Sequence, residues 1–428
     1  MPTVAFHTLG CRLNQAETAI IANDLKKNGF DVVDDSASAD LTVIHTCTVT
    51  EQADAKCRQA VRQSIRKNPD TFVAVIGCYA QTGVDAIRQI KGVDLIVGNE
   101  HKMQLAGFLD SLAKNNQPQI IHTRKISRQE FVIDSIADDV SHTRANLKIQ
   151  DGCNFVCSFC IIATARGPAR SRKFVDILDE AKKLADSGYK EIVLTGVNIG
   201  TYRQNGHNFP DVLSELDKIN GIERIRISSI EPTTVNREII DIIADSDKIC
   251  RHLHIPVQSG DDRILKSMRR KHTAGFYEDI INYAAEKIPG IGIGTDIMVG
   301  YPTEDIEEFK NTKKLLANLP VSYFHVFTYS DRKGTGSFNL KPKVDHHVKK
   351  DRNRIMIELG QRKKLAFYDS FIGRDVDVLF EENHKGLWEG FSDNYMRIAV
   401  KSEANLKNEL KRVRLKSIEN QKILGEIA

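Results

Sequence analysis

The stretch that decides the architecture is residues 146–160, NLKIQDGCNFVCSFC, in which a short apolar-polar alternation runs directly into three cysteines within eight residues. Asn146 to Gln150 read as a β-strand, and Cys153, Cys157 and Cys160 follow at its carboxyl end. Three sulfurs are an odd number for disulfides and one short of a closed tetrahedral metal site. Soft thiolates at such short spacing select zinc or an iron–sulfur cluster. The next cysteine downstream of the group is Cys250, and no paired histidine stands nearby to complete a zinc site. A cubane cluster held by three cysteines leaves one iron open to a further ligand. Phe159, just before Cys160, could pack on an adenine ring there.

Downstream of this loop the strand-and-helix alternation continues through EIVLTGVN, RIRISSIEP, HLHIPVQSG, GIGIGTDIMVG and SYFHVFTYS, with helical segments between. Six β/α units are too few for a closed eight-stranded barrel and predict a partial (β/α)6 barrel, with its site at the strand carboxyl ends. Upstream, residues 1–114 alternate short apolar strands with helices, which predicts an open parallel α/β domain. Cys11, Cys47 and Cys78, separated by 36 and 31 residues, each fall at or just past the carboxyl end of a strand. Ligands bind at that edge of an open parallel sheet, so the three can converge. A polar stretch over residues 115–142 separates the two regions. The barrel with a basic linker is expected over 142–370, and 371–428 reads as short alternating strands with Gly turns, a small OB-like β-barrel.

The chain has 428 residues, 41% hydrophobic and 28% charged, which suits two or three globular domains. No apolar run reaches the ~18 residues of a membrane helix, and no secretory signal is evident at the start, so the expectation is a cytoplasmic protein without a membrane partner. Eight cysteines in a reducing compartment are then metal ligands or core residues rather than disulfides; Cys57 and Cys250 read as core. The net charge of +4 is small, but residues 341–374 hold ten Lys or Arg against four acids. Arg166, Arg170, Arg172 and Lys173 form a second basic run. Both runs suit either an RNA backbone or an ordinary solvated face. GIGIGTDIMVG is not a dinucleotide loop, because its glycines lie at the start of a strand rather than between strand and helix.

The Cys-x3-Cys-x-aromatic-Cys string resembles the signature of the radical S-adenosylmethionine enzymes, in which that cofactor ligates the open iron. TLGCRLNQAE, HTCTVTEQADAK and IGCYAQ resemble the three cysteine motifs of the methylthiotransferase amino-terminal domain, CSFCIIATARGPARSR that family's central motif, and the tail its TRAM module. The resemblance spans nearly the whole chain. It is strongest to the MtaB-type branch, which methylthiolates C2 of N6-threonylcarbamoyladenosine at position 37 of tRNA. Ala163-Thr164 depart from the Pro-Tyr expected after the paired isoleucines.

The resemblance implies an enzyme with two [4Fe–4S] clusters, one on Cys153, Cys157 and Cys160 and one on Cys11, Cys47 and Cys78, both facing one cavity. S-adenosylmethionine would serve as radical source and methyl donor. By similarity Phe159, Gly196, Asn198, Glu231, Gln258 and Arg270 would contact it, and Arg166, Arg170 and Arg172 would approach the modified base of the RNA. Its partners would be a tRNA anticodon stem-loop, an electron donor protein and a sulfur source. Rival readings are methylthiolation of N6-isopentenyladenosine or of a ribosomal protein and, outside enzymes, an RNA-binding protein with structural metal sites.

Overall fold

The computed structural model describes residues 1–34, 38–114, 116–127, 131, 133 and 143–428. Half of the polar stretch at 115–142 lies outside the described residues. Within them, no helix is long and apolar enough to cross a membrane.

The first sheet is made of β1 (Thr3–Thr8), β2 (Asp31–Val33), β3 (Leu41–Thr46), β4 (Phe72–Gly77), β5 (Leu95–Val97) and β6 (Gln119–Ile121). All pairings are parallel, in the order β2-β1-β3-β4-β5-β6. The central strands β3 and β4 are buried along their whole length, as strands covered on both faces must be. Helix α1 (Arg12–Lys27) forms because Leu13, Ala16, Ile20, Ile21 and Leu25 recur at helical spacing on its buried face, and Lys26 and Lys27 complement the dipole at its end. Glu17 sits on that buried face as well, fully covered.

The central domain has six parallel strands in two sheets. In one, β7 (Arg144–Lys148) and β9 (Arg224–Ile227) flank β8 (Glu191–Thr195). In the other, β10 (His252–His254) and β12 (Tyr323–Thr328) flank β11 (Gly292–Val299). Parallel bridges Ile225↔Ile249 and Ser229↔His254 join the two into one curved, incomplete barrel. Its core is aliphatic, with Leu147, Leu194, Ile227, Leu253 and Ile293 all buried. The amino-terminal domain lays α1 against β7.

The carboxyl-terminal strands β13 (Asp375–His384), β14 (Leu387–Ser392), β15 (Arg397–Lys401), β16 (Leu410–Glu419) and β17 (Lys422–Ile427) close into a barrel. Between this barrel and the central domain, much of the expected basic linker is a helix, His346–Asp369, packed on β12. Its Arg352 is buried and bonds the Glu304 carbonyl at 3.1 Å, and Lys363 bonds the Leu319 carbonyl at 2.7 Å. These cations hold the helix down, while Lys350, Arg354 and Arg362 remain exposed.

The small barrel is built into the central one. Its 392–395 turn enters at the start of the barrel strands: Arg226 bonds the Ser392 carbonyl at 3.1 Å and that of Asp393 at 2.8 Å, and the Asn394 amide bonds the Gly290 carbonyl at 3.0 Å. A Cβ at Gly292 would lie 2.1 Å from the Asn394 carbonyl oxygen, and one at Gly294 2.4 Å from the Tyr323 ring. Gly292 therefore makes room for this insertion, and Gly294 for the Tyr323 ring.

Candidate functional site

Because β1, β3 and β4 are neighbours, their carboxyl ends bring Cys11, Cys47 and Cys78 side by side. Cys11 is the residue before α1, Cys47 follows β3, and Cys78 opens the short helix Cys78–Thr82. Gly10, at φ +108°, lets the loops close: a Cβ there would sit 2.7 Å from that of Cys47. The Asn99 amide donates to the Cys78 sulfur at 3.5 Å and to the Ala165 carbonyl of the barrel domain at 2.7 Å. Burial, reinforced by the neighbouring Cys78 and Cys11, pushes the Cys47 thiol up to about 11. Cys57 is buried behind this group, its thiol turned to the Cys47 carbonyl at 3.3 Å.

The second group is held by backbone. Gly152 takes φ +69°, and a Cβ there would meet the Pro168 carbonyl oxygen at 2.0 Å. The N–H of Phe155 points to the Cys153 sulfur at 3.3 Å and that of Ile162 to Cys160 at 3.4 Å, while Arg270 reaches Cys157 at 3.6 Å. Such donors favour thiolate over thiol, although burial pushes Cys160 up to about 12. A tetrahedral zinc with Zn–S bonds of about 2.3 Å needs its sulfurs roughly 3.8 Å apart. Among the described residues only His254, Asp296 and His325 bring three ligand-type atoms within 4.8 Å of one another; neither cysteine triad does. As they stand, neither triad is closed around a single metal ion.

Gln150 fastens this loop to the next strand. Its amide donates to the Asp151 and Gly152 carbonyls at 2.9 and 2.8 Å, and its oxygen accepts the N–H groups of Val197 and Asn198 at 2.9 and 2.8 Å. The end of β8 is thereby set against the cluster loop, and Gly196 is required there, since a Cβ would stand 2.7 Å from Ile199. Asn198 is buried, with its side-chain amide facing the Cys153 thiol. Glu231 accepts from Arg270 at 3.0 Å. Phe159 packs with Ile264, Met268, Tyr301 and Tyr329. Gln258, at φ +70°, is paired through its backbone to Asp296 and Met298. Sequence reasoning passed over Gln150, which in an alternating apolar–polar strand reads as one more polar position.

The three arginines expected to meet RNA have protein partners instead. Arg166 is 2% exposed and bonds both Glu17 oxygens at 2.9 Å, Asp151 at 3.0 Å and Asn14 at 2.7 Å. Arg172 is buried against Glu180 and the Ile133 carbonyl, and Arg170 lies 3.4 Å from Asp151. Lys148 bonds Glu17 and Asp151 at 2.7 and 2.8 Å, and Lys102 pairs with Glu17. A bare carboxylate or guanidinium inside a protein is costly, so these groups bury one another and lock the first domain to the barrel.

Beside these groups lies a cavity of about 290 Å³, walled by Cys11 and Arg12, by Thr195 and Gly196 at the end of β8, and by Arg226, His252, His254, Tyr323, His325 and Tyr395. The Ser229 hydroxyl sits 2.8 Å from His254 Nδ1, while Nε2 faces Asp296 at 3.2 Å. Asp296 and His325 are opposite one another in the β11–β12 register. An acid within the apolar run GIGIGTDIMVG was the available signal for this wall. Tyr395, more than a hundred residues from its cavity neighbours on the barrel strands other than Tyr323 and His325, carried none.

The description "Radical SAM superfamily" matches residues 147–316, and "Uncharacterized protein family UPF0004" matches 3–98. The chain is 40% identical over 428 residues to threonylcarbamoyladenosine tRNA methylthiotransferase MtaB of Bacillus subtilis, covering 97% of this chain and 94% of that one. It is 41% identical to the MtaB of Aquifex aeolicus, covering 91% and 95%. The tRNA-2-methylthio-N(6)-dimethylallyladenosine synthase of Clostridium tetani is 34% identical, covering 91% and 88%. Among solved structures, the radical S-adenosylmethionine methyltransferase TsrM from Kitasatospora setae shares the fold, with a TM-score of 0.58 at 15% identity over 79% of this chain and 77% of that one. With relatives at this identity over nearly the whole length of both chains, and the radical SAM match over the central domain, the chain belongs to the radical S-adenosylmethionine methylthiotransferase family.

Proposed function

We propose that this enzyme methylthiolates C2 of the adenine of N6-threonylcarbamoyladenosine at position 37 of tRNA. Its cofactors are two [4Fe–4S] clusters and S-adenosylmethionine. Cys153, Cys157 and Cys160 would hold one cluster, and Cys11, Cys47 and Cys78 the other. The observation that carries the reading is the cavity whose wall includes both Cys11 and the β8 end that Gln150 ties to the second cysteine loop.

The hydrogen on adenine C2 is not acidic enough for a side-chain base to remove. When bound, the clusters and S-adenosylmethionine supply one-electron chemistry at that C–H bond together with the sulfur and methyl group to be transferred. The chain's own residues bind, orient and exclude water. His252, Tyr323 and Tyr395 offer ring faces on which an extruded base can stack, with His252 and Tyr395 4.7 Å apart. His254, Asp296 and His325 offer donors and acceptors to its edge. Asn198 and the Glu231–Arg270 pair, next to the cysteine loop, would bind the amino and hydroxyl groups of S-adenosylmethionine. The exposed cations of the 346–369 helix and Arg374 face solvent, as residues that follow an RNA backbone must. An electron donor protein and a sulfur source complete the reaction.

Mass spectrometry of tRNA nucleosides from cells lacking the gene tests the reading. The 2-methylthio form of N6-threonylcarbamoyladenosine should vanish while its precursor accumulates, and a plasmid copy should restore it. Loss of the 2-methylthio isopentenyl nucleoside instead would move the enzyme to the other tRNA branch.

A further inference from the structure

The proposed substrate differs from N6-isopentenyladenosine in ending in a carboxylate, and a carboxylate leaving water for a cavity needs a cation that is not already neutralised. Arg166, Arg170 and Arg172 are paired with Glu17, Asp151 and Glu180. Arg226, also in the cavity wall, is fully engaged: it pairs with Glu191 at 2.6 Å and bonds the Ser392 and Asp393 carbonyls. Burial holds His252 well below the usual imidazole range and lowers His325, so neither adds a charge at neutral pH.

Arg12 is different. It follows Cys11 directly, opens α1, lines the cavity and is half-buried. Its Nη2 donates to the Tyr395 hydroxyl at 2.7 Å, and its guanidinium lies 5.9 Å from that ring. No carboxylate among the described residues stands within ion-pair distance of it. Glu381, whose carboxyl feels the Arg12 charge, is hydrogen-bonded and ion-paired to Arg144, at 3.0 Å from its Nη2. A guanidinium carries five N–H donors in a planar fork, and one phenol leaves most of them unused.

We propose that Arg12, steadied by Tyr395, is the residue that recognises the terminal carboxylate of the N6 substituent and so sets which modified adenosine this enzyme accepts. The inference rests on the function proposed above and adds the specificity determinant to it. The fork presents two parallel N–H groups to the two carboxylate oxygens, and the aromatic and imidazole rings of the wall hold the base. A neutral N6 substituent would leave the Arg12 charge without a counter-charge. Selection then acts against the wrong nucleoside as well as for the right one.

The test uses the reconstituted holoenzyme and two anticodon stem-loop RNAs, one carrying N6-threonylcarbamoyladenosine and the other its carboxamide, which has the same shape and no charge. Dissociation constants and kcat/KM are measured for wild type, Arg12→Lys, Arg12→Gln and Tyr395→Phe, with iron content and cluster absorbance checked for each. Wild type should prefer the acid by about 10- to 100-fold. Arg12→Gln should bind the two RNAs equally, Arg12→Lys should keep part of the preference, and Tyr395→Phe should reduce it while retaining both clusters. The proposal is overturned if wild type binds acid and amide alike, or if Arg12→Gln keeps the full preference. Should Arg12→Gln lose its neighbouring cluster, an undiminished preference in Tyr395→Phe and Arg12→Lys together would equally overturn it. If wild type modifies neither RNA yet modifies an isopentenyl stem-loop, the proposed function fails, independently of how the variants behave.

Discussion

Glu17 of the amino-terminal domain and Arg166 of the cysteine loop meet through two hydrogen bonds of 2.9 Å, both side chains almost wholly out of water. Around them Lys102, Lys148 and Asp151 complete a buried network across the seam between the two domains that carry the cysteine triads. Replacing Glu17 with Gln leaves three cations facing Asp151 alone. Removing one partner of such a set costs about 3–5 kcal/mol. The first urea-unfolding transition of E17Q should shift accordingly, and the seam should become sensitive to limited proteolysis.

The same pair sets an acid limit. Burial alone would raise the Glu17 carboxyl, but Arg166, Lys102 and Lys148 outweigh it and hold it well below the usual carboxylate range. A carboxyl depressed in the folded state contributes stability above its unfolded pKa, about 4.3, and that contribution is lost as pH falls through the folded value. Thermal midpoints should therefore fall below about pH 4 in wild type. In E17Q that part of the acid slope should be missing.

Two independent cysteine sets predict two independent clusters. Triple replacement of Cys153, Cys157 and Cys160 by Ala should roughly halve the iron and sulfide of the anaerobically reconstituted protein, and replacing Cys11, Cys47 and Cys78 should do the same. Cys57→Ala and Cys250→Ala, at two buried positions outside the triads, should leave iron unchanged. Iron falling to zero in either triple variant would contradict independent sites.

The 392–395 turn makes the small barrel part of the cavity wall. Gly292→Ala would drive a methyl group against the Asn394 carbonyl, which is backbone and cannot turn away. Overpacking of this kind costs about 1–3 kcal/mol, read as a lowered thermal midpoint. Deleting the chain after Phe371 would be harsher, because Arg224 and Arg226 would lose the carbonyls of Phe391, Asp377, Ser392 and Asp393.

For RNA the gentler test is charge removal. Replacing exposed Lys350, Arg354, Arg362 and Arg374 by Gln should weaken tRNA binding and flatten its salt dependence by roughly 0.7–0.9 log units per decade for each phosphate that is no longer neutralised. Cluster content should not change. An unchanged slope would place the RNA elsewhere on the surface.

The sequence by itself determined the strand-and-helix alternation, the incomplete barrel, the small terminal barrel and the two cysteine triads. These are properties of local periodicity, and cysteines at strand ends in a parallel sheet must share one edge whatever the rest of the chain does. It could not say which arginines are free. Arg166, Arg170 and Arg172 look like an RNA-facing run because a basic string carries no record of the acids that will meet it; Glu17 lies 149 residues from Arg166. Nor could it reveal Gln150 as a staple, Gly292 as space for Asn394, or Arg12 as a cation backed by Tyr395, 383 residues away. Burial and pairing arise between segments distant in the chain, so only the tertiary structure decided which charges are spent on holding the domains together and which one is left for a ligand.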